Sequence, residues 1–343
     1  MLTVTVVSHY PKIGDSPEEQ LLRRSFGQFD RKEINEAELE RIKDEVTQQV
    51  IQEQIEAGVE VITDGQIRWD DPMTYLAGKI KGFTLTGLLR YFDTNTFYRQ
   101  PIAAEELEDP GGLVVKDFQF ANAISSVPVK AVLTGPYTLA KLSRNRYYKN
   151  EEEFAARLAD ILGEETKRLA RAGAKWIQFD EPALLRFKKE LPLFEKIWTR
   201  LASFFPEGIE TILFLNFGNL QGIYPAISEL PVGSLGFDLA GPPATKHGGS
   251  AEQFGGSENW RILERTPLKK KLVAGIVDAR NTKMETEEEL SKKLERLLAL
   301  VSGEDLSLSP NYGLEFLPRA AAKKKLAHLS KVVREFREAK VKV

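Results

Sequence analysis

Short apolar runs rich in β-branched residues alternate along this chain with amphipathic helical stretches, and this alternation strongly constrains the fold. We predict strands at eight positions: 3–8, 59–63, 129–134, 174–180, 210–216, 234–238, 272–277 and 305–309. Helices are predicted between most of the strands, at 36–57, 151–172, 193–204 and 285–301, and at the C-terminus from residue 319. Alternating strands and helices form parallel sheets with right-handed crossovers, and eight such units predict an α/β fold, the (β/α)8 TIM barrel. A doubly wound sheet with fewer strands is the competing fold.

The domain organisation follows from the same pattern. We expect residues 1–343 to form a single TIM-barrel domain, because no stretch has the composition of a domain linker. Two connections are long, near 64–128 and 239–271, and the second contains Gly241-Pro242-Pro243 and Gly248-Gly249-Ser250. Long loops in a compact domain are often lids or binding loops.

The charge balance excludes some classes of partner. The net charge is −2 and the pI is about 6.1, so the chain has no basic excess to hold a phosphate backbone, and we expect no nucleic-acid partner. No apolar run reaches the length of a membrane span. The N-terminal segment reads as a strand and lacks the features of a signal peptide, so we expect a cytoplasmic protein.

Cysteine is absent from the sequence, and histidine is rare. The absence of cysteine excludes disulfides, thiolate nucleophiles and thiolate metal ligands together. The three histidines, His9, His247 and His328, are scattered and show no metal-binding spacing. The composition therefore argues against a metal site built on thiolates or on closely spaced histidines.

Two adjacent carboxylates end the fourth predicted strand. The run Lys175–Phe179 leads into Asp180 and Glu181, and Pro182 prevents the strand from continuing. Because neighbouring strand residues point to opposite faces, one carboxylate is expected to face a pocket and the other a loop or a helix N-terminus. The alternative is that Asp-Glu-Pro only ends a strand and caps the next helix.

Polar and aromatic residues follow most of the other predicted strands. In parallel α/β folds the carboxyl ends of the strands carry the binding site, so these residues are expected to line a polar cavity. Asp180, Asp238 and Asp278 would make the cavity acidic and suited to a protonated amine, such as an amino-acid ammonium. His9 is either a structural histidine or, beside a carboxylate, a proton carrier. The residues that we expect to bind substrate are Ser8, His9, Tyr10, Gln66, Trp69, Asp71, Asp180, Glu181, Asp238 and Asp278.

Several of these motifs together resemble the cobalamin-independent methionine synthase family. The resemblance rests on Ile177–Leu184, Leu133–Pro136, Ser8–Pro11 and Asp64–Met73, and it spans nearly the whole chain. Full-length members carry two related barrels, of which the C-terminal barrel holds a catalytic zinc, homocysteine and methyl-tetrahydrofolate. The segments that resemble the zinc-free N-terminal barrel are Phe92–Tyr98, Leu230–Leu239 and Ala274–Asn281.

The resemblance also implies roles for single residues. Asp180 would contact the ammonium of homocysteine or methionine, and Gln66 stands where the family usually has a second carboxylate. The zinc ligands of catalytic members correspond here to Leu215, Phe217, Asp238 and Tyr312. Leucine and phenylalanine cannot ligate zinc, and one carboxylate does not hold it tightly.

Three functions follow as hypotheses. The first is the zinc-free barrel subunit of a split methionine synthase, in which a partner chain, a zinc-bearing barrel, supplies the metal and methyl-tetrahydrofolate is the methyl donor. The second is a stand-alone, zinc-independent methyltransferase that uses a more reactive donor, such as a corrinoid. The third is a non-catalytic protein that binds an amino acid or folate.

Overall fold

The computed structural model describes residues 2–241 and 256–341. The strands are β1 (Thr3–Val4), β2 (Lys81–Arg90), β3 (Phe97–Glu108), β4 (Lys130–Thr134), β5 (Arg144–Asn145), β6 (Trp176–Asp180), β7 (Glu210–Leu215), β8 (Ser234–Asp238), β9 (Lys271–Val277) and β10 (Leu306–Pro310). The α-helices are α1 (Leu21–Asp30), α2 (Glu36–Glu56), α3 (Thr74–Lys79), α4 (Val115–Ile124), α5 (Pro136–Leu142), α6 (Glu151–Arg171), α7 (Pro182–Arg186), α8 (Leu191–Ala202), α9 (Tyr224–Glu229), α10 (Gly256–Arg265), α11 (Glu287–Leu298) and α12 (Arg319–Val341).

The chain divides into two compact units. The first consists of Met1–Arg68, Phe120–Val129 and Ala274–Val343, and the second of Trp69–Gln119 and Lys130–Val273. Residues 242–255 of the predicted long loop near 239–271, with prolines 242 and 243, glycines 248 and 249, and His247, lie outside the described residues, and α10 follows directly after them.

Parallel strands form the core of the second unit, in the order β9-β8-β7-β6-β4. Thr134 on β4 is opposite Asp180 on β6, and Asp180 is opposite Phe214 on β7, so the three strands end together. Every residue of β4 and β8 is buried, as expected for parallel strands covered on both faces. This register brings the polar residues that follow β4, β6 and β7 to one edge of the sheet.

Helix α6 shows how the sequence places a helix on this sheet. Asn150 caps its first turn by accepting a hydrogen bond from the backbone N–H of Glu153. Three glutamates in that turn lie at the positive end of the helix dipole, where negative charge stabilises the helix. Its apolar stripe, which includes Phe154, Leu158 and Leu162, is buried, and the helix packs against α5 and α8. The predicted bounds, 151–172, are confirmed to within one residue.

The second unit also contains a small sheet that the sequence analysis missed. Strands β2 and β3 form an antiparallel hairpin, and β5 adds to β3 in parallel, within a segment that we expected to be mostly loop. Pro101 within β3 and Gly82 and Gly87 within β2 hid this hairpin, because proline and glycine are unusual inside strands and interrupt the apolar alternation by which strands are recognised.

The first unit has the strand order β1-β10-β9, with β1 parallel to β10. The predicted strand at 59–63 is reduced to two isolated parallel bridges, Thr5 with Val61 and Ile62 with Val129. Helix α2 begins at its Asn35 cap and buries an apolar stripe that ends near Ile51.

The observed pairing confirms the coarser part of the fold prediction. The chain has an α/β fold with a parallel sheet, and the strands in this sheet number seven. Closure into an eight-stranded barrel stays a prediction, because 59–63 contributes bridges in place of a strand. Within 2–241 and 256–341, no helix is long and apolar enough to cross a membrane.

Candidate functional site

The two carboxylates at the end of β6 have separate environments. Asp180 is the last residue of the strand, and α7 begins directly after Glu181 with Pro182, whose fixed φ suits the first helical turn. Glu181 is fully buried, whereas Asp180 is half-buried. The strand end therefore presents one carboxylate to the interior and leaves the other partly accessible.

The Glu181 carboxylate binds the N-terminus of α5. Its Oε1 accepts a hydrogen bond from the backbone N–H of Tyr137 at 3.0 Å, and its Oε2 accepts from the backbone N–H and the hydroxyl of Thr138 at 2.7 and 2.6 Å. Burial raises the pKa of Glu181 to about 7, although these three hydrogen bonds act in the opposite direction. The prediction that one of the two carboxylates faces a helix N-terminus is confirmed.

The Asp180 side chain accepts a hydrogen bond from another residue of its own strand. The Nε2 of Gln178 donates to Oδ1 of Asp180 at 2.6 Å, as their spacing of two residues on one face of a strand allows. The Nζ of Lys130, the first residue of β4, donates to Oε1 of Gln178 at 2.5 Å. Burial raises the pKa of Asp180, while the Gln178 hydrogen bond and the Lys130 charge act to lower it.

Asp71 and Trp69 belong to a turn before α3. Oδ1 of Asp71 accepts hydrogen bonds from the backbone N–H groups of Met73 and Thr74 at 2.8 and 2.7 Å, and burial raises its pKa. The Trp69 ring is buried and stacks on Tyr75 with 5.0 Å between ring centroids. The side chains of both predicted site residues therefore also hold this turn in place.

Asp238 ends β8 and is 2% exposed. Its Oδ1 accepts a hydrogen bond from the backbone N–H of Ala240 at 2.9 Å, and its backbone carbonyl accepts from the Nδ2 of Asn259 on α10 at 3.0 Å. The carboxylate thus stabilises the turn that leaves the strand.

In the first unit, Ser8, His9 and Tyr10 follow β1. The backbone carbonyls of Ser8 and His9 accept hydrogen bonds, both of 2.8 Å, from the Thr63 hydroxyl and the Leu314 N–H, and the Tyr10 hydroxyl donates to Oε2 of Glu53 at 3.0 Å. Burial and the charge of Lys12 lower the pKa of His9 to about 3. His9 is therefore a neutral imidazole near pH 7, which favours the structural alternative over the proton carrier.

Gln66 has the strongest signature of a binding residue in the first unit. Its backbone lies in the left-handed region with φ 50°, which is strained for a residue with a long side chain. The side chain is 2% exposed, and among the described residues its Oε1 has no hydrogen-bond partner. A buried acceptor without a donor is costly, and a ligand N–H group would satisfy it.

Asp278 differs from the other aspartates because a cation lies beside it. Its Oδ1 accepts from the backbone N–H of Arg280 at 2.9 Å, and the Arg280 Nε lies 3.6 Å from the same oxygen. The Arg280 guanidinium also lies over the ring of Tyr312, 4.5 Å from its centroid. The charge of Arg280 therefore partly cancels that of Asp278, and the net negative charge around Asp278 is smaller than around an isolated carboxylate.

The positions that correspond to the zinc ligands do not fit a zinc ion. Leu215 is fully buried and apolar, and the ring of Phe217 stacks on Phe92 with 5.6 Å between centroids. Phe92 and Phe217 both have a left-handed backbone, with φ 49° and 62°. Among the described residues, no group of three or more histidines, cysteines or acidic residues is placed to hold a metal. Zinc requires nitrogen, sulfur or oxygen ligands. The two positions at and after the end of β7 carry apolar side chains in their place.

Comparisons with known proteins find similar sequences over nearly the whole chain. A family model described as cobalamin-independent synthase, catalytic domain, matches residues 9–201. A methionine synthase of Saccharolobus solfataricus is 30% identical over 342 residues, which cover 98% of this chain and 96% of that protein. A methionine synthase of Sulfurisphaera tokodaii is 29% identical over 343 residues, covering 98% and 93%.

A solved structure shares the fold over the full length. A B12-independent methionine synthase from Shewanella sp. W3-18-1, in complex with selenomethionine, aligns with a TM-score of 0.81 at 22% identity and covers 100% of both chains. At this level of identity the likeness shows a shared fold. The closer resemblance to the zinc-free N-terminal barrel stays a prediction, since the matching family model is that of the catalytic domain.

Proposed function

Because the chain belongs to the cobalamin-independent methionine synthase family, we propose that it binds homocysteine or methionine through the carboxylate of Asp180. The observation that carries this proposal is the placement of Asp180, half-buried at the carboxyl end of β6 with one oxygen held by Gln178. An ammonium group forms short, charge-assisted hydrogen bonds to such a carboxylate. The selenomethionine in the Shewanella structure is a ligand of this chemical class.

Within the first unit, Gln66 is the residue that we assign to ligand binding. Its buried Oε1 accepts no hydrogen bond from a described residue, so it offers an acceptor for an ammonium or amide N–H. A neutral amide at this position, in place of the carboxylate usual in the family, binds an ammonium less strongly than a charge would. The other residues predicted to bind substrate, Ser8, His9, Tyr10, Trp69, Asp71, Glu181, Asp238 and Asp278, stay predictions.

We further propose that this chain is the zinc-free subunit of a two-chain methionine synthase. The cysteine thiol has a pKa of about 8.5, so a free thiol such as that of homocysteine is mostly protonated at neutral pH. Zinc supplies the missing activation when it binds the sulfur, and Leu215 and Phe217 cannot ligate it here. The zinc-bearing barrel would therefore be the partner chain, with methyl-tetrahydrofolate as methyl donor and this chain binding and orienting substrate.

The closed (β/α)8 barrel is part of the same proposal. The parallel bridges Thr5–Val61 and Ile62–Val129 lie where the second strand of a single barrel domain over residues 1–343 would pair. They support closure because they link segment 59–63 to the residues that extend β1 and precede β4.

Reconstitution of methionine synthesis tests the two-chain proposal. Methionine formation from homocysteine and methyl-tetrahydrofolate would be measured with this chain alone, with a zinc-bearing one-barrel homologue from the same organism alone, and with both. Activity that requires the mixture supports the proposal. Full activity of the homologue alone, together with no co-elution of the two chains, contradicts it. Turnover of methylcobalamin by this chain alone after metal removal would instead support the zinc-independent methyltransferase.

A further inference from the structure

Three polar side chains of the second unit are joined in a row by hydrogen bonds, and the row ends at the proposed amino-acid site. Lys130 begins β4, Gln178 occupies the middle of β6, and Asp180 ends β6. Lys130 Nζ donates to Gln178 Oε1 at 2.5 Å, and Gln178 Nε2 donates to Asp180 Oδ1 at 2.6 Å. A cation and an anion are thus joined through one carboxamide.

Burial of these polar side chains costs free energy. Lys130 is 1% exposed and Gln178 is fully buried. A buried ammonium is costly unless nearby acceptors and a negative charge compensate it, so a lysine at this position is explained best by the charge of Asp180. Thr134 and Phe214, which pair with Asp180 on β4 and β7, carry no charge, and the adjacent Glu181 carboxylate binds α5.

The lysine also determines the orientation of the carboxamide. Lys130 can only donate, so the oxygen of the Gln178 side chain must face it. The amide nitrogen then faces Asp180, and its N–H engages one carboxylate oxygen. With the carboxamide reversed, the lysine would face N–H donors and Asp180 would face an oxygen, which would make both contacts repulsive.

We propose that Lys130 is a positioning residue for the amino-acid site, which acts through Gln178 to keep Asp180 ionised and oriented for a ligand ammonium. This inference rests on the proposed function, because it assigns a task to Asp180 that only ligand binding uses. Lys130 does not touch the ligand.

Removal of the Lys130 charge changes the pKa of Asp180 in one direction. Burial raises the pKa of Asp180 and lowers that of Lys130, and the attraction between the two charges opposes both shifts. Removal of the Lys130 charge therefore raises the pKa of Asp180 further. Asp180 would then be protonated, and unable to attract an ammonium, over a wider pH range.

A titration of the ligand-free protein tests the inference directly. The ¹³C resonance of the Asp180 carboxyl group would be followed against pH in wild type, in Lys130→Met, and in Lys175→Met as an exposed control directly before β6. We expect the pKa of Asp180 to rise by about one unit or more in Lys130→Met and to stay unchanged in Lys175→Met. An unchanged pKa in Lys130→Met overturns the inference. Lys130→Gln, which keeps a donor for Gln178, provides the same test if Lys130→Met does not fold.

Calorimetric titration with methionine between pH 6 and 9 separates this inference from the proposed function. Lys130→Met is expected to bind about fivefold more weakly than wild type at pH 7, the loss of ionised Asp180 for one unit of pKa shift from about 7, and to approach wild-type affinity near pH 9 as Asp180 ionises. A loss that is equal at every pH indicates a merely structural role and overturns the inference. Absence of methionine binding by wild type contradicts the proposed function, while the carboxyl titration still decides the role of Lys130.

Discussion

Gly135 leaves the space that the Glu181 carboxylate occupies: a Cβ added to this glycine would lie 2.2 Å from Oε1 of Glu181. No real Cβ tolerates that approach, and Glu181 cannot move away without losing its hydrogen bonds to Tyr137 and Thr138. The glycine before α5 is therefore required by the carboxylate, and not by its own backbone, whose φ is −71°. This contact explains why a glycine follows Thr134 at the end of β4.

Gly135→Ala is the first prediction. We expect it to lower the free energy of unfolding by about 1–3 kcal/mol, the usual cost of overpacking a closed interior. Urea unfolding measures the change. Gly87→Ala is the matched control, since a Cβ there meets nothing within 4 Å, and an effect of Gly135→Ala no larger than that of Gly87→Ala would contradict the account.

The raised pKa of Glu181 predicts how stability depends on pH. Its pKa is about 7 in the folded chain against 4.5 for an ordinary glutamate, so the folded state keeps the proton to higher pH than the unfolded state. This contribution to stability is complete below about pH 4.5 and is lost as the pH rises through about 7. The free energy of unfolding of wild type, relative to Glu181→Gln, is expected to fall by about 3 kcal/mol across that range. A difference that is constant with pH, or that grows as the pH rises, would refute this assignment.

The ion pair between Glu53 and Arg319 predicts that removal of the Glu53 charge strongly lowers the free energy of unfolding. The pair joins α2 to the first residue of α12 at 3.1 Å, and the Arg319 and Glu53 side chains are 1% and 14% exposed. Glu53→Gln removes the closer charge partner of a buried guanidinium and leaves the Glu19 carboxylate, 3.9 Å from its Nε, as a weaker one. This change costs about 3 kcal/mol of unfolding free energy.

The control for this prediction lies between the same two helices. Glu56 pairs with Lys323 at 3.3 Å, but both side chains are exposed, so Glu56→Gln should leave thermal and urea unfolding nearly unchanged. Equal effects of Glu53→Gln and Glu56→Gln would show that burial of the pair does not determine its contribution.

Strand and helix positions could be predicted wherever local pattern and packing agree. Strand β6 was recognisable because its apolar residues precede Asp180, Glu181 and Pro182, and α6 because its cap and apolar stripe are both present in the sequence. The hairpin of β2 and β3 was not, since its strands are stabilised by pairing with each other and carry little apolar alternation.

Part of the candidate site could not be found from the sequence. A lysine ahead of the apolar run Ala131–Leu133 looks like a solvated flank, and the burial of Lys130 depends on Gln178, which is 48 residues away. The clue was the alternation of Gln178 and Asp180 across the apolar Phe179, which places two polar groups on one face of a buried strand.

The most direct test of the account is a calorimetric titration of methionine and homocysteine into wild type and Asp180→Asn at neutral pH. Asparagine keeps the size of the side chain and removes its charge, so we expect affinity to fall by roughly thirtyfold or more. Asp30→Asn, the same change at an exposed position at the end of α1, should bind as wild type does. Equal affinity of wild type and Asp180→Asn would contradict the claim that Asp180 recognises the ligand ammonium.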